Sequence, residues 1–128
     1  MAESKKYQID VQVRSEYDAE QSDVAHDRFV FSYTVTIANT GNVAAQLVSR
    51  HWIVTSADGR QVQEVRGLGV VGEQPLLQPG ESFEYTSGCV IATPVGAMHG
   101  SYQMIADDGT KFEAPIDEFP LVMPRVLH

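Results

Sequence analysis

Apolar and polar residues alternate along most of this chain, and no stretch of useful length repeats at the 3.6-residue period of an amphipathic helix. A strand turns successive side chains to opposite faces, so each alternating run predicts a strand with one buried face. The first covers about 6–14, with Tyr7, Ile9, Val11 and Val13 opposite Gln8, Asp10, Gln12 and Arg14. The clearest covers about 28–38, where Phe29, Phe31, Tyr33, Val35 and Ile37 alternate with Arg28, Ser32, Thr34 and Thr36. A third covers about 44–55 and leaves its inward face open. One choice buries Val48, Trp52 and Val54 with Arg50; the other buries Leu47 and Ile53 with His51. Shorter runs follow at Val62–Val65, at Phe83, Tyr85, Ser87, Cys89 and Ile91, at about 98–105, and at Phe112, Ala114 and Ile116.

Turn chemistry separates these runs. Asn39-Thr40-Gly41-Asn42, Asp58-Gly59, Leu77-x-Pro79-Gly80-Glu81 and Asp108-Gly109 all place residues that tolerate positive φ between apolar segments. Seven or eight short strands without crossover helices predict an all-β fold, an antiparallel β-sandwich in one domain spanning 1–128. A parallel sheet would need helices that the sequence does not encode. The tail from Phe119 to His128 is apolar enough to pack on the body, but its prolines forbid a central strand.

Composition narrows the function. An apolar fraction of 43% and a charged fraction of 20% suit a globular domain, and no apolar run approaches the ~20 residues of a membrane-spanning helix. Met1-Ala2-Glu3-Ser4-Lys5-Lys6 leads into alternation and not into the apolar core of a secretory signal. The single cysteine, Cys89, fits a reducing cytoplasm. A net charge of −8, with Lys and Arg scattered singly apart from Lys5-Lys6, argues against nucleic acid as partner.

Gly67-Leu68-Gly69-Val70-Val71-Gly72 matches G-x-G-x-x-G, which binds a dinucleotide when it opens a helix. Here Pro75, Pro79 and Gly80 leave no room for that helix, and no acidic residue stands about 20 positions on to hold a ribose. The motif reads as a turn that contacts a partner, or as an anion nest formed by Gly67, Gly69 and Gly72 beside Arg66. Glu16, Asp18, Glu20 and Asp23 read as a solvated acidic loop lacking the glycine of a calcium loop. His26, His51, His99 and His128 show no metal-ligand spacing, though His99 is placed nearest Cys89 on the neighbouring strand. Cys89 shares its face with Phe83, Tyr85 and Ile91 and reads as a small buried hydrophobe. No catalytic set, metal set or cofactor is assigned. Arg50-His51-Trp52 combines residue types common at binding hot spots and is the other candidate contact.

Taken in order, these segments resemble the ApaG family. The resemblance rests on Val11-Gln12-Val13, Phe31-x-Tyr33-Thr34-Val35-Thr36-Ile37, Arg50-His51-Trp52 and the run from Gly67 to Pro75. It continues through Pro79-Gly80-Glu81, Tyr85-Thr86-Ser87-Gly88, Thr93-Pro94 and Gly100-x-Tyr102-x-Met104. Asp117 departs from it, standing where the family often has proline after isoleucine. The resemblance implies a fibronectin type III-like, immunoglobulin-like sandwich, no established catalysis, and contact with another protein, as in related eukaryotic F-box and polymerase-interacting proteins. It also implies a link to cobalt tolerance, magnesium efflux and a neighbouring diadenosine tetraphosphate hydrolase. The alternative is an accessory protein that binds a nucleotide polyphosphate or a divalent cation through Gly67–Gly72.

Overall fold

The computed structural model describes residues 6–124. Its strands are β1 (Ile9–Tyr17), β2 (Phe29–Asn39), β3 (Ala45–Ser56), β4 (Val62–Leu68), β5 (Leu76–Leu77), β6 (Ser82–Ile91), β7 (Val95–Ala106) and β8 (Lys111–Val122). One sheet has the order β1-β2-β6; the other runs β4-β3-β7-β8, with β5 also paired to β3. Every pairing is antiparallel. The two sheets form a fibronectin type III-like sandwich. The one helical element among the described residues is a 3-10 turn at Val24–His26, so none is long and apolar enough to cross a membrane.

Strand β2 buries the face that its alternation marks, with Phe29, Phe31, Tyr33, Val35 and Ile37 all at 6% exposure or less. Trp52 sits opposite this face, its ring 5.2 Å from Tyr33 and edge-on to Tyr102 and Phe119 at 6.2 and 6.0 Å. Edge-on aromatic packing of this kind adds about 0.5–1.5 kcal/mol per pair beyond the area buried. The Tyr85 and Tyr102 hydroxyls hydrogen-bond to each other inside the core.

Neither face proposed for β3 is correct along its whole length. Ala45 and Leu47 point inward, the register against β7 shifts between Leu47 and Ser49, and then Trp52, Val54 and Ser56 point inward. The extra residue of a bulge reverses the alternation beyond it. Leu47 and Trp52 are therefore both core residues, whereas Ile53 and His51 face outward. Strand β1 also runs three residues beyond its predicted end, to Tyr17.

The last strand is longer than the alternation suggests. A second irregularity between Met98 and Gly100 lets β8 accommodate Asp117 and Glu118 and continue to Val122. Asp117 thus lies within a strand and not in a connection. Pro115 and Pro120 are tolerated because β8 is a sheet edge, where a missing N–H leaves no ladder bond unmade. Val126, Leu127 and His128 of the apolar tail lie outside the described residues.

Candidate functional site

The glycine motif begins inside β4 and ends in a tight hairpin. The Val70 N–H donates to the Glu73 carbonyl at 2.8 Å, and the Glu73 N–H returns to Val70 at 2.9 Å. Between them Val71 and Gly72 both have positive φ, +50° and +77°. Two positive φ values define a type I′ turn, which favours Asn-Gly. A β-branched residue there is a conformational outlier. No helix follows, and β5 begins at Leu76.

Each glycine has a separate physical reason. Gly67 lies under the Arg50 side chain, and a methyl there would sit 2.8–2.9 Å from the guanidinium. Gly69 has φ +63°, and a Cβ on it would fall 2.2 Å from the Glu73 carbonyl oxygen. Gly72 needs only its positive φ, since open space surrounds it. Passing over Gly67, the Arg50 guanidinium donates to the carbonyls of Leu68 and Gly69 at 3.0 and 2.8 Å. The Gly69 N–H meanwhile donates to Val48 at 2.8 Å. Among the described residues of the turn, Val71 and Gly72 keep N–H groups that no protein atom accepts.

The turn holds apolar side chains in solvent. Leu68 is 75% exposed, Val71 64% and Leu76 55%, although Val70 between them is fully buried. Beside the turn, the outer face of the second sheet carries a shallow groove in two parts. One, of about 450 Å³, is bounded by Ser49, His51, Arg66, Gln103 and Glu113. The other, about 470 Å³, shares Gln103 and Glu113 and adds Val48, Ile105 and Lys111. Ser49 donates to Gln103 at 2.8 Å and Gln103 to Ser101 at 2.9 Å, which fixes the floor between β3 and β7.

The sequence triplet is split by the fold. Trp52 is 2% exposed and belongs to the core, its indole N–H without a hydrogen-bond partner, so it cannot meet a partner at the surface. Arg50 braces the glycine turn. His51 faces the groove, which Arg50 also borders, and its Nε2 is buried and 3.5 Å from the Glu64 carboxylate. Arg66 is mostly exposed and its Nε donates to Glu64 at 2.9 Å, which with the guanidinium charge lowers the Glu64 pKa.

Cys89 is half-buried with its Sγ 3.6 Å from Met98 Sδ, and burial pushes the thiol up to about 11. A thiol so raised is a poor nucleophile at neutral pH. The expected neighbour His99 is on the exposed outer face of the other sheet, because β6 and β7 do not pair. Asp23 pairs with His26 at 2.7 Å, and among the described residues no group of three His, Cys, Asp or Glu side chains is placed to hold a metal. His128 lies outside the described residues. Ser49, Gln103 and Glu113 are groove residues that sequence reasoning missed; they come from three strands that only the fold brings together.

The sequence model of the ApaG domain matches residues 19–106. Protein ApaG of Thiobacillus denitrificans is 67% identical, and that of Nitrosospira multiformis 63%, each over the whole of both chains. A crystal structure of the putative ApaA protein from Bordetella pertussis superposes with a TM-score of 0.92 at 55% identity, covering 97% of this chain and 100% of the other.

Proposed function

This chain belongs to the ApaG domain family, and from that premise we propose that it is a non-catalytic cytoplasmic module that acts by binding another protein. The observation that carries the reading is Val71. Strained backbone at an exposed position persists only where the surroundings enforce it, and such strain clusters at functional sites. A valine in a turn suited to Asn-Gly has a stability disadvantage, and its side chain packs on little of its own molecule. Of the exposed apolar residues around the turn, Leu68 borders the groove that His51 and Arg66 line, and Val71 lies three residues further along the chain. Apolar anchors beside Arg and a polar floor are the usual make-up of a protein contact.

Binding of a nucleotide polyphosphate at Gly67–Gly72 is the weaker reading. Gly69, Val70 and Glu73 direct their N–H groups into the fold, and the guanidinium of Arg50 is engaged by carbonyls. We place any tie to cobalt or magnesium in the partner's activity and not in a metal site of this chain.

Native affinity capture followed by crosslinking from position 71 tests the proposal. We expect one defined protein with the wild-type chain, and its loss with Val71→Asp, since Asp tolerates the same φ and keeps the turn. Capture that is unchanged by Val71→Asp, or no specific capture at all, overturns it.

A further inference from the structure

The four sheet edges of this sandwich are not equally protected. Strand β8 carries Pro115, Pro120 and an irregularity, and β1 carries Asp10, Arg14 and Glu16. Strand β6 exposes Glu84, Thr86, Ser87 and Gly88. Such devices discourage further pairing. Strand β4 has neither proline nor bulge, its two charged residues Glu64 and Arg66 already pair with each other, and it exposes Val62 (60%), Val65 (41%) and Leu68 (75%).

The direction of its hydrogen bonds is fixed at both ends. Ser56 donates to Gln61 and Gly69 donates to Val48. With the β3–β4 register, this turns the backbone groups of Gln63, Val65 and Gly67 toward β3. Those of Val62, Glu64, Arg66 and Leu68 face the free edge. Arg50 already engages the Leu68 carbonyl, which keeps a second lone pair.

We propose that the free edge of β4 pairs with β4 of a second copy of this chain, antiparallel, about a two-fold axis at Val65. The strand reads Val62-Gln63-Glu64-Val65-Arg66-Gly67-Leu68 and is self-complementary about its centre. The axis sets Glu64 opposite Arg66 of the second copy, and Arg66 opposite its Glu64. Val62 meets Leu68 at both ends, and Gln63 falls against Gly67, which offers no bulk. The residues with free backbone groups are the same ones that face each other, so the ladder and the side chains agree on one register. Opposite charges and apolar pairs directly across a ladder both stabilise it. This edge shares Arg66 and Leu68 with the groove proposed above for a different protein, so self-pairing and that contact would compete.

Two variant sets and one concentration series test the pairing. In sedimentation from about 10 µM to about 1 mM, mass action should carry the wild-type chain from monomer toward twice its mass. Glu64→Arg or Arg66→Glu alone sets like charges across the axis and should abolish the dimer. The double exchange Glu64→Arg/Arg66→Glu restores the pairing and should restore the dimer. In a Cys89→Ser background, Val65→Cys should oxidise to a linked dimer, because a non-hydrogen-bonded antiparallel pair holds Cα atoms about 4.5 Å apart, within disulfide reach. Val62→Cys should not, since the axis separates its two copies by roughly 20 Å, six residues of strand. A monomer at every concentration, or equal crosslinking at positions 62 and 65, overturns the proposal. The first result would leave the edge to an extended segment of a different protein.

Discussion

Replacing Gly69 and Gly72 separately with alanine should give very unequal results. Both have positive φ, +63° and +77°, where a residue with a Cβ loses roughly 1–2 kcal/mol. Alanine recovers about 0.4–1 kcal/mol by narrowing the unfolded ensemble. Gly72→Ala meets nothing within 4 Å and should therefore destabilise by about 1 kcal/mol or less. At Gly69 the same methyl falls 2.2 Å from the Glu73 carbonyl oxygen and 3.0 Å from its carbon. Backbone must move, and the reciprocal Val70–Glu73 hydrogen bonds, each contributing about 1 kcal/mol, break with it. Gly69→Ala should lose about 3 kcal/mol. Urea denaturation followed by the fluorescence of Trp52, the chain's one tryptophan, separates the two. For a slope of about 2 kcal/mol per M, Gly69→Ala should lower the midpoint by about 1.5 M and Gly72→Ala by about 0.5 M or less. Equal losses, or a larger loss at Gly72, would refute the assignment of separate roles.

Val71→Asn should stabilise the fold by about 1 kcal/mol, because Asn accepts the turn's φ and the largely exposed valine gives up little burial; thermal unfolding would check it, and a lower midpoint would mean that Val71 packs more than its exposure indicates. With its pKa raised to about 11 from 9.0, Cys89 should react with an alkylating reagent at pH 8 about a hundredfold more slowly than a free cysteine, as its thiolate fraction falls by that factor. Mass spectrometry over time gives the rate, and labelling within minutes would contradict the burial. The Tyr7 hydroxyl, donating at 2.5 Å, holds Asp108 down to about 2 from its ordinary 3.8. A depressed carboxyl pKa contributes stability above the unfolded value and loses it as pH falls through the folded one, so Asp108→Asn should flatten the decline between about pH 4 and pH 2.

Much of the sandwich was legible in the sequence where a strand stays regular. Strand β2 has an unbroken period of two, and its buried face was readable residue by residue. Strand β3 was not, since one extra residue near Val48 inverts the pattern and leaves both candidate faces half right. The continuation of β8 past Ile116 was hidden for the same reason. Spacing along the chain could not tell that Cys89 and His99 belong to different sheets, because a hairpin-like interval also serves a strand that crosses between layers. The glycine motif could be excluded as a helix-opening site from Pro75 and Pro79 alone. That Gly67 and Gly69 answer different neighbours, and Gly72 none, became visible only with Arg50 and Glu73 in place. The groove could not be anticipated, because Ser49, Gln103 and Glu113 are distant in the chain and share no motif.

The most direct measurement is an amide-resolved NMR titration of the full chain with ATP and with diadenosine tetraphosphate, run alongside hydrogen exchange of the free protein. We expect the resonances of Gly67, Gly69 and Gly72 to hold their positions at millimolar ligand. The Gly69, Val70 and Glu73 amides should exchange slowly, and those of Val71 and Gly72 quickly. Saturable shifts centred on Arg66–Gln74, with Gly69 and Val70 open to exchange before ligand is added, would mean that the turn is an anion cradle and not a closed hairpin.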